Sequence, residues 1–200
     1  MSGSLDWARQ SFARSDFARR VCIVTDSASD ILPNHARALG LVVVPNRIMI
    51  DGRSFQDGID LSSAQFYARL PHARGPLYTE PASANDLYVA YRTAFNQGAT
   101  AIISIHVSSH LSKVVQHALE VRDYLAPAPI YVIDSQQAGI GMWPAVIRGA
   151  QLAREGASVQ SIASLMVAIL EHTHLYFMVE TLEYLRRGGR IGRAQALVGT

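Results

Sequence analysis

The sequence has 200 residues, of which 49% are hydrophobic and 17% charged, and its formal net charge is +2. Such a chain can bury a core, which excludes a wholly disordered protein, and so small a net charge gives no reason to expect nucleic-acid binding. No apolar run approaches the roughly 18 residues that span a bilayer, so we expect no transmembrane segment. The single cysteine, Cys22, cannot form an internal disulfide, which favours a cytoplasmic location.

Residues 1–20 differ from the rest of the chain because arginines alternate with large aromatic residues. They contain no apolar stretch of the kind that secretory signals carry, so we do not expect a signal peptide. The spacing fits a small amphipathic helix, and it fits a disordered leader equally well. The residues concerned are Trp7, Arg9, Phe12, Arg14, Phe17, Arg19 and Arg20.

Strands are predicted where short, unbroken apolar runs rich in Val and Ile occur, a pattern typical of strands that are covered on both faces. These runs lie at residues 21–26, 41–44, 47–50, 100–106, 130–134 and 175–179. Helices are predicted at residues 34–39, 63–70, 83–96, 111–125, 141–154 and 159–171. Ser83 with Asp86 resembles a capping box, and Ser158 is a suitable N-cap.

The alternation of strands and helices predicts the fold class and its division into parts. Between residues 21 and 134 it indicates an α/β fold with a parallel-type sheet flanked by helices, in a doubly wound arrangement. We divide the chain into a leader at 1–20, a first α/β domain at 21–138, and linking helices with the beginning of a second α/β domain at 139–200.

Three predicted strands end in hydroxyl and carboxylate side chains. Asp26-Ser27 follows the first strand, residues 108–112 (SSHLS) follow the strand at 100–106, and Asp134-Ser135 ends the next one. In open α/β sheets the carboxyl ends of the strands form the crevice where ligands bind. Hydroxyls and free N–H groups there suit a carboxylate or a phosphate. The same residue types also cap helices and form turns, but three such loops at one edge favour a ligand site.

An enzyme on the same layout is the alternative function. Asp26, Asp134 and His106 are candidates for a phosphotransferase or hydrolase, with an Asp–His pair as general base. The sequence contains no Gly-rich phosphate loop, dinucleotide fingerprint or nucleophile elbow, and its histidines lack the spacing of a metal site. We therefore expect no metal and no cofactor. A regulatory protein that senses a lipid is a third hypothesis.

Six stretches are similar to motifs of one family, and the resemblance that rests on them runs from residue 21 to residue 200. On these stretches the sequence resembles the DegV family of bacterial fatty-acid-binding proteins. The longest and most specific is TLEYLRRGGRI at residues 181–191. The others are IVTDS at 23–27 with Asp30 and Pro33, the segment 43–60 from VVP to DGID, TEP at 79–81 with Ser83, SSHLS at 108–112 and IDS at 133–135.

The resemblance implies a two-domain α/β protein that holds a long-chain fatty acid between its layers. It assigns the acyl carboxylate to the hydroxyls of Thr79 and Ser112, and we expect Ser109, Ser27 and Arg190 to contribute to ligand binding. Burial of the acyl chain contributes about 0.8 kcal/mol per methylene, so the hydroxyls need only fix the head group. The resemblance also implies that the protein is a lipid-binding carrier and not an enzyme. Such a carrier presents the acid to a fatty acid kinase.

The chain departs from the family pattern in several places. Lys113-Val114 stands where Gly-Thr usually follows the loop serine, and we hypothesise that Lys113 supplies a counter-charge. Glu80 and Tyr78 replace the usual Gln and hydroxyl residue. Family members continue past Thr200 with most of the second domain and a His-bearing loop near the head group. We therefore expect a fragment or a degenerate member, whose exposed apolar face favours aggregation or a homodimer.

Four arginines surround Gly188-Gly189. One interpretation is a helix end, with glycine at the C-cap and cations against the helix dipole. The other is a docking edge for an acidic kinase surface, with Arg190 near the ligand. A transient contact with a membrane surface is also left open. The arginines are Arg186, Arg187, Arg190 and Arg193.

Overall fold

The computed structural model describes residues 21–191, which form two sheets and seven α-helices. The strands are β1 (Val21–Asp26), β2 (Val42–Val44), β3 (Arg47–Ile50), β4 (Arg53–Gln56), β5 (Leu77–Glu80), β6 (Ala101–His106) and β7 (Ile130–Asp134). The larger sheet has the order β2-β1-β6-β7, and all its strands are parallel. The smaller sheet has the order β4-β3-β5 and is antiparallel. The predicted α/β class is confirmed.

The helices include the six that the sequence predicts, and serine caps define the starts of three of them. They are α1 (Pro33–Leu39), α2 (Ser63–Arg69), α3 (Ala84–Asn96), α4 (Val114–Tyr124), α5 (Trp143–Arg154), α6 (Val159–Glu171) and α7 (Glu183–Arg187). Ser83 and Asp86 form the expected capping box at the start of α3, and Ser158 caps α6 through the Ser161 N–H. Each cap satisfies backbone donors that the first turn leaves free.

One hydrophobic core surrounds the parallel sheet. Every residue of β1 and β6 is buried, as expected for strands that helices cover on both faces. The pair α3 and α4 packs against the sheet, and so does the group formed by α1, α5 and α6. Met142, Val146 and Met166 belong to the same buried cluster as the strands. Among the described residues, the helices that follow residue 138 therefore pack into the same core as the strands that precede it. The division of the chain at residue 138 stays a prediction.

The structure corrects the assignment of residues 47–50 to the parallel layer. This strand is β3, and it pairs with two strands that the hydrophobic pattern did not predict. Both are short and carry several polar residues, so apolar runs cannot reveal them. A turn signal was present nevertheless. Asp51-Gly52 joins β3 to β4 with φ of 51° and 77°, and Asp-Gly favours such a two-residue turn because both positions need positive φ.

The strand predicted at 175–179 is wrong. Residues 173–179 have no regular secondary structure, and Tyr176 and Met178 are 90% and 99% exposed. A strand requires a neighbour that accepts and donates its backbone hydrogen bonds, and no described strand pairs with this segment. The run is apolar enough for a strand, but in residues 21–191 it has nothing to pair with.

Three expectations concern residues that lie outside the described range. They concern the leader at 1–20, Arg193, and residues 192–200 of the part predicted at 139–200. Within residues 21–191, no helix combines the length and apolar character needed to cross a membrane.

Candidate ligand-binding site

The topology brings the polar strand ends together, as the sequence predicts. The chain leaves β1 through α1 and enters β2 on one side, whereas β6 lies on the other side of β1. The carboxyl edge between β1 and β6 is therefore a topological switch point, where α/β sheets bind ligands. The register pairs His106 with Asp134 across β6 and β7.

A continuous chain of hydrogen bonds runs through the core beneath this edge. The Tyr91 hydroxyl donates to Ser104 Oγ at 2.7 Å, and Ser104 Oγ lies 2.7 Å from His106 Nε2. His106 Nδ1 lies 2.9 Å from Asp26 Oδ2. Because a carboxylate only accepts, Nδ1 carries a proton, and Nε2 accepts from Ser104 when the ring is neutral. All four side chains are completely buried.

Asp26 is the acceptor at the end of this chain and holds three further groups. They are the N–H of Ala28 at 3.0 Å, the N–H of Val107 at 3.2 Å and the Asn46 side-chain amide at 3.2 Å. Burial acts to raise the pKa of the carboxyl, but the hydrogen bond and charge of His106, with those of Asn46 and Val107, outweigh it. The pKa of Asp26 lies below its ordinary value as a result.

Two of the three residues that the enzyme alternative names, Asp26 and His106, are buried beneath the switch point. A general base must reach the proton that it removes, and neither Asp26 nor His106 has any exposed surface. Asp134 is partly exposed, but its carboxylate accepts from the N–H groups of Ser109 and Gln136 and so supports its own loops. Within residues 21–191, no three His, Cys, Asp or Glu side chains are placed to hold a metal ion.

Ser27 lies on the same edge, and its hydroxyl forms two hydrogen bonds within the protein. It donates to Asp57 Oδ2 at 2.8 Å and accepts from the Asn46 N–H at 3.0 Å. Burial raises the pKa of Asp57, and the nearby Asp26 raises it further against the effect of the Ser27 bond. The pKa of Asp30 is also raised, by burial first and then by Asp57 and Asp26. Ser27 thus joins the β1 end to its neighbours.

The loop at residues 108–112 is held as a tight turn at the end of β6. The N–H groups of Leu111 and Ser112 both donate to the Ser108 carbonyl, at 2.9 and 3.1 Å. Ser112 Oγ accepts from the N–H of Val114 at 3.3 Å, at the start of α4. Its own proton remains available to an acceptor in the crevice, because this bond uses only a lone pair. Lys113 is exposed at the N-cap of α4.

Arg190 connects the two predicted head-group elements. Its Nη2 donates to Thr79 Oγ1 at 3.2 Å, and its Nε donates to the Leu111 carbonyl at 3.3 Å. Its Nη1 donates to the Gly188 carbonyl at 2.7 Å, which fixes the guanidinium against its own segment. A cation therefore lies between the β5 hydroxyl and the residue before Ser112. A carboxylate there would meet both a positive charge and hydroxyl donors.

The family model described as "Uncharacterised protein, DegV family" matches residues 20–200. The chain belongs to the DegV family. A DegV domain-containing protein of Deinococcus radiodurans is 34% identical over 180 residues, which are 90% of this chain and 63% of that protein. The chain thus spans less than two thirds of the length of this curated relative.

Solved DegV structures share the fold. A DegV family protein from Thermus thermophilus, described for its fatty acid binding, has a TM-score of 0.81 at 32% identity, over 90% of this chain and 64% of that one. DegV from Bacillus subtilis, a fatty acid binding protein, has a TM-score of 0.82 at 24% identity, with coverage of 90% and 64%. The second likeness supports the fold alone.

The hydrogen bonds of four polar residues near the switch point were not predicted from the sequence of this DegV protein. Tyr91, Ser104, Asn46 and His117 all bond to groups near the switch point. One signal was available: Ser104 and His106 are polar residues two apart within an otherwise apolar strand, so they share one face of it. Nothing local indicates the role of Asn46, because its partners are distant in sequence.

Proposed function

We propose that this DegV protein binds a long-chain fatty acid and holds the carboxylate among Thr79, Ser112 and Arg190. The observation that carries the proposal is the position of Arg190, which donates to Thr79 and to the loop that bears Ser112. A charge-assisted bond to a carboxylate contributes about 1.5–3 kcal/mol. The exposed Ser109 lies in the same loop and is a secondary candidate, whereas Ser27 is engaged with Asp57 and Asn46.

Extraction of the purified protein tests whether a fatty acid is bound at all. We expect mass spectrometry of an organic extract to detect co-purifying long-chain acids, or calorimetry to detect uptake of added hexadecanoic acid. A protein that carries none and takes up none does not have the proposed function.

Substitution of Arg190 tests the head-group assignment. Arg190→Met keeps most of the side-chain volume and removes the charge, so we expect affinity for hexadecanoic acid to fall about ten- to a hundredfold. Arg186→Met is the matched control, because Arg186 is exposed in the same segment and none of the three bonds of Arg190 involves its side chain. Equal affinities of both variants and the wild type would contradict the assignment. Lys113→Ala tests whether Lys113 adds a counter-charge.

The carrier role and its kinase partner are a finer part of the proposal. The resemblance supplies the partner, and the exposed Arg186 and Arg187 at the end of α7 are suited to an acidic surface. Arg187 already pairs with Glu183. The positive charges of Arg186 and Arg187 also interact favourably with the C-terminal end of the α7 dipole. If they dock a kinase, Arg186→Glu should reduce acyl phosphate formation without changing fatty acid affinity. The cytoplasmic location proposed with this role agrees with an unpaired, buried Cys22.

A further inference from the structure

Ala82 lies completely buried between two polar side chains that come from different parts of the fold. Its N–H donates to Asn46 Oδ1 at 2.9 Å, and its carbonyl lies 2.8 Å from His117 Nδ1. Since a carbonyl only accepts, His117 must carry a proton on Nδ1. The peptide segment that follows Thr79 at the end of β5 is therefore held from both sides.

Asn46, in the β2–β3 connection, forms hydrogen bonds through its backbone N–H and carbonyl and through both the oxygen and the nitrogen of its side-chain amide. Besides Ala82, its side chain donates to Asp26 Oδ1 at 3.2 Å. Its N–H donates to Ser27 Oγ at 3.0 Å, and its carbonyl accepts from the Asp57 N–H at 2.9 Å. Asn46 thereby ties the smaller sheet, which carries Thr79, to the end of β1 in the larger sheet.

His117 makes the matching connection to the loop that bears Ser112. It lies in the second turn of α4, the helix that begins directly after this loop. Its bond to Ala82 fixes the residue that follows Pro81. The ring of Pro81 in turn restricts the backbone of Glu80, which adjoins Thr79. Ala82 is thus bonded on one side to Asn46 and on the other to α4, the helix that follows Ser112.

We propose that Asn46 and His117 are positioning residues which, through Ala82, set the separation of Thr79 and Ser112 and so make the site selective for a carboxylate. The inference rests on the proposed function. A carboxylate needs donors on both of its oxygens at hydrogen-bond distance, whereas an alcohol of the same chain length needs one partner. If the segments that carry Thr79 and Ser112 are held less firmly, the affinity for the acid falls, whereas the apolar contacts of the acyl chain are unchanged.

The experiment compares affinities for hexadecanoic acid and hexadecan-1-ol in four variants by calorimetry or probe displacement. Asn46→Ala and His117→Ala each remove one bond to Ala82, and we expect each to weaken acid binding about tenfold, as for one lost head-group bond, with alcohol binding unchanged. His117→Asn can donate from nearly the same position and should restore the acid-to-alcohol ratio. Asn85→Ala is the matched control, because Asn85 is exposed at the start of α3.

Each outcome decides the inference. A ratio that falls in both alanine variants and recovers in His117→Asn supports it. A ratio that stays at the wild-type value, or acid and alcohol affinities that fall together, overturns it in favour of a purely structural role. Wild-type protein that binds acid and alcohol equally tightly overturns the inference and leaves fatty acid binding in place. Wild-type protein that binds neither refutes both proposals.

Discussion

Replacement of Asp26 by asparagine tests the buried chain most directly, because the change preserves shape and removes only the charge and one acceptor. Asp26 Oδ1 accepts from Ala28 and Asn46, and Oδ2 accepts from His106 and Val107. If the asparagine oxygen occupies the position of Asp26 Oδ1, the new NH₂ group faces His106 Nδ1 and the N–H of Val107. Two buried donors then lose their acceptor.

The expected loss in the free energy of unfolding follows from this count. Each buried donor without a partner costs about 1–3 kcal/mol, so the two donors together cost about 2–6 kcal/mol. We therefore expect Asp26→Asn to lose about 2–6 kcal/mol in the free energy of unfolding, measured by urea unfolding at pH 7 with circular dichroism. Asp134→Asn is the control, and because Asp134 is partly exposed we expect a loss of about 1 kcal/mol or less.

The pH dependence gives a second signature. The pKa of Asp26 is lowered from its ordinary 3.8, so its contribution is complete above that pH and disappears as the pH falls through the folded-state pKa. The stability difference between wild type and Asp26→Asn should therefore shrink in acid. A loss at pH 7 no larger than that of Asp134→Asn, or a difference that is constant down to pH 2, would refute the role assigned to the pair.

Three further substitutions have defined expected results. Asp30→Asn should raise the thermal midpoint at pH 7, because it removes a carboxyl whose pKa is raised by burial and by two neighbouring carboxylates. Asparagine also tolerates the φ of 55° at this position. The gain should vanish at pH 3, where the wild-type carboxyl is protonated. Ser83→Ala removes the cap of α3 and should cost about 1 kcal/mol in urea unfolding. Tyr91→Phe removes the buried bond to Ser104 and should lower the free energy of unfolding by about 1 kcal/mol, whereas Tyr88→Phe on the same helix should lower it by less. Equal losses would contradict the buried chain of hydrogen bonds.

Local chemistry explains what was predicted correctly. The parallel strands were found because strands covered on both faces must be apolar throughout, as β1 and β6 are. The starts of α3 and α6 were found because a serine at the N-cap satisfies free N–H groups within a few residues. The meeting of three polar strand ends followed from sheet geometry alone.

The failures came from interactions that no local pattern encodes. The smaller sheet was missed because β4 and β5 are short and polar, although Asp51-Gly52 marked the turn between β3 and β4. The apolar run at 175–179 resembles a strand, but strand formation depends on a partner and none is present among the described residues.

The sequence by itself determined the family, the class of fold and the edge of the sheet where polar loops meet. Only the tertiary structure decided which of those polar groups bond to other parts of the protein. Asp26 and Ser27 are occupied by protein partners, whereas Arg190 reaches Thr79 across 111 positions of the chain. The physical reason is that a hydrogen bond depends on separations within about 3.5 Å, which packing of the whole fold sets and sequence spacing does not.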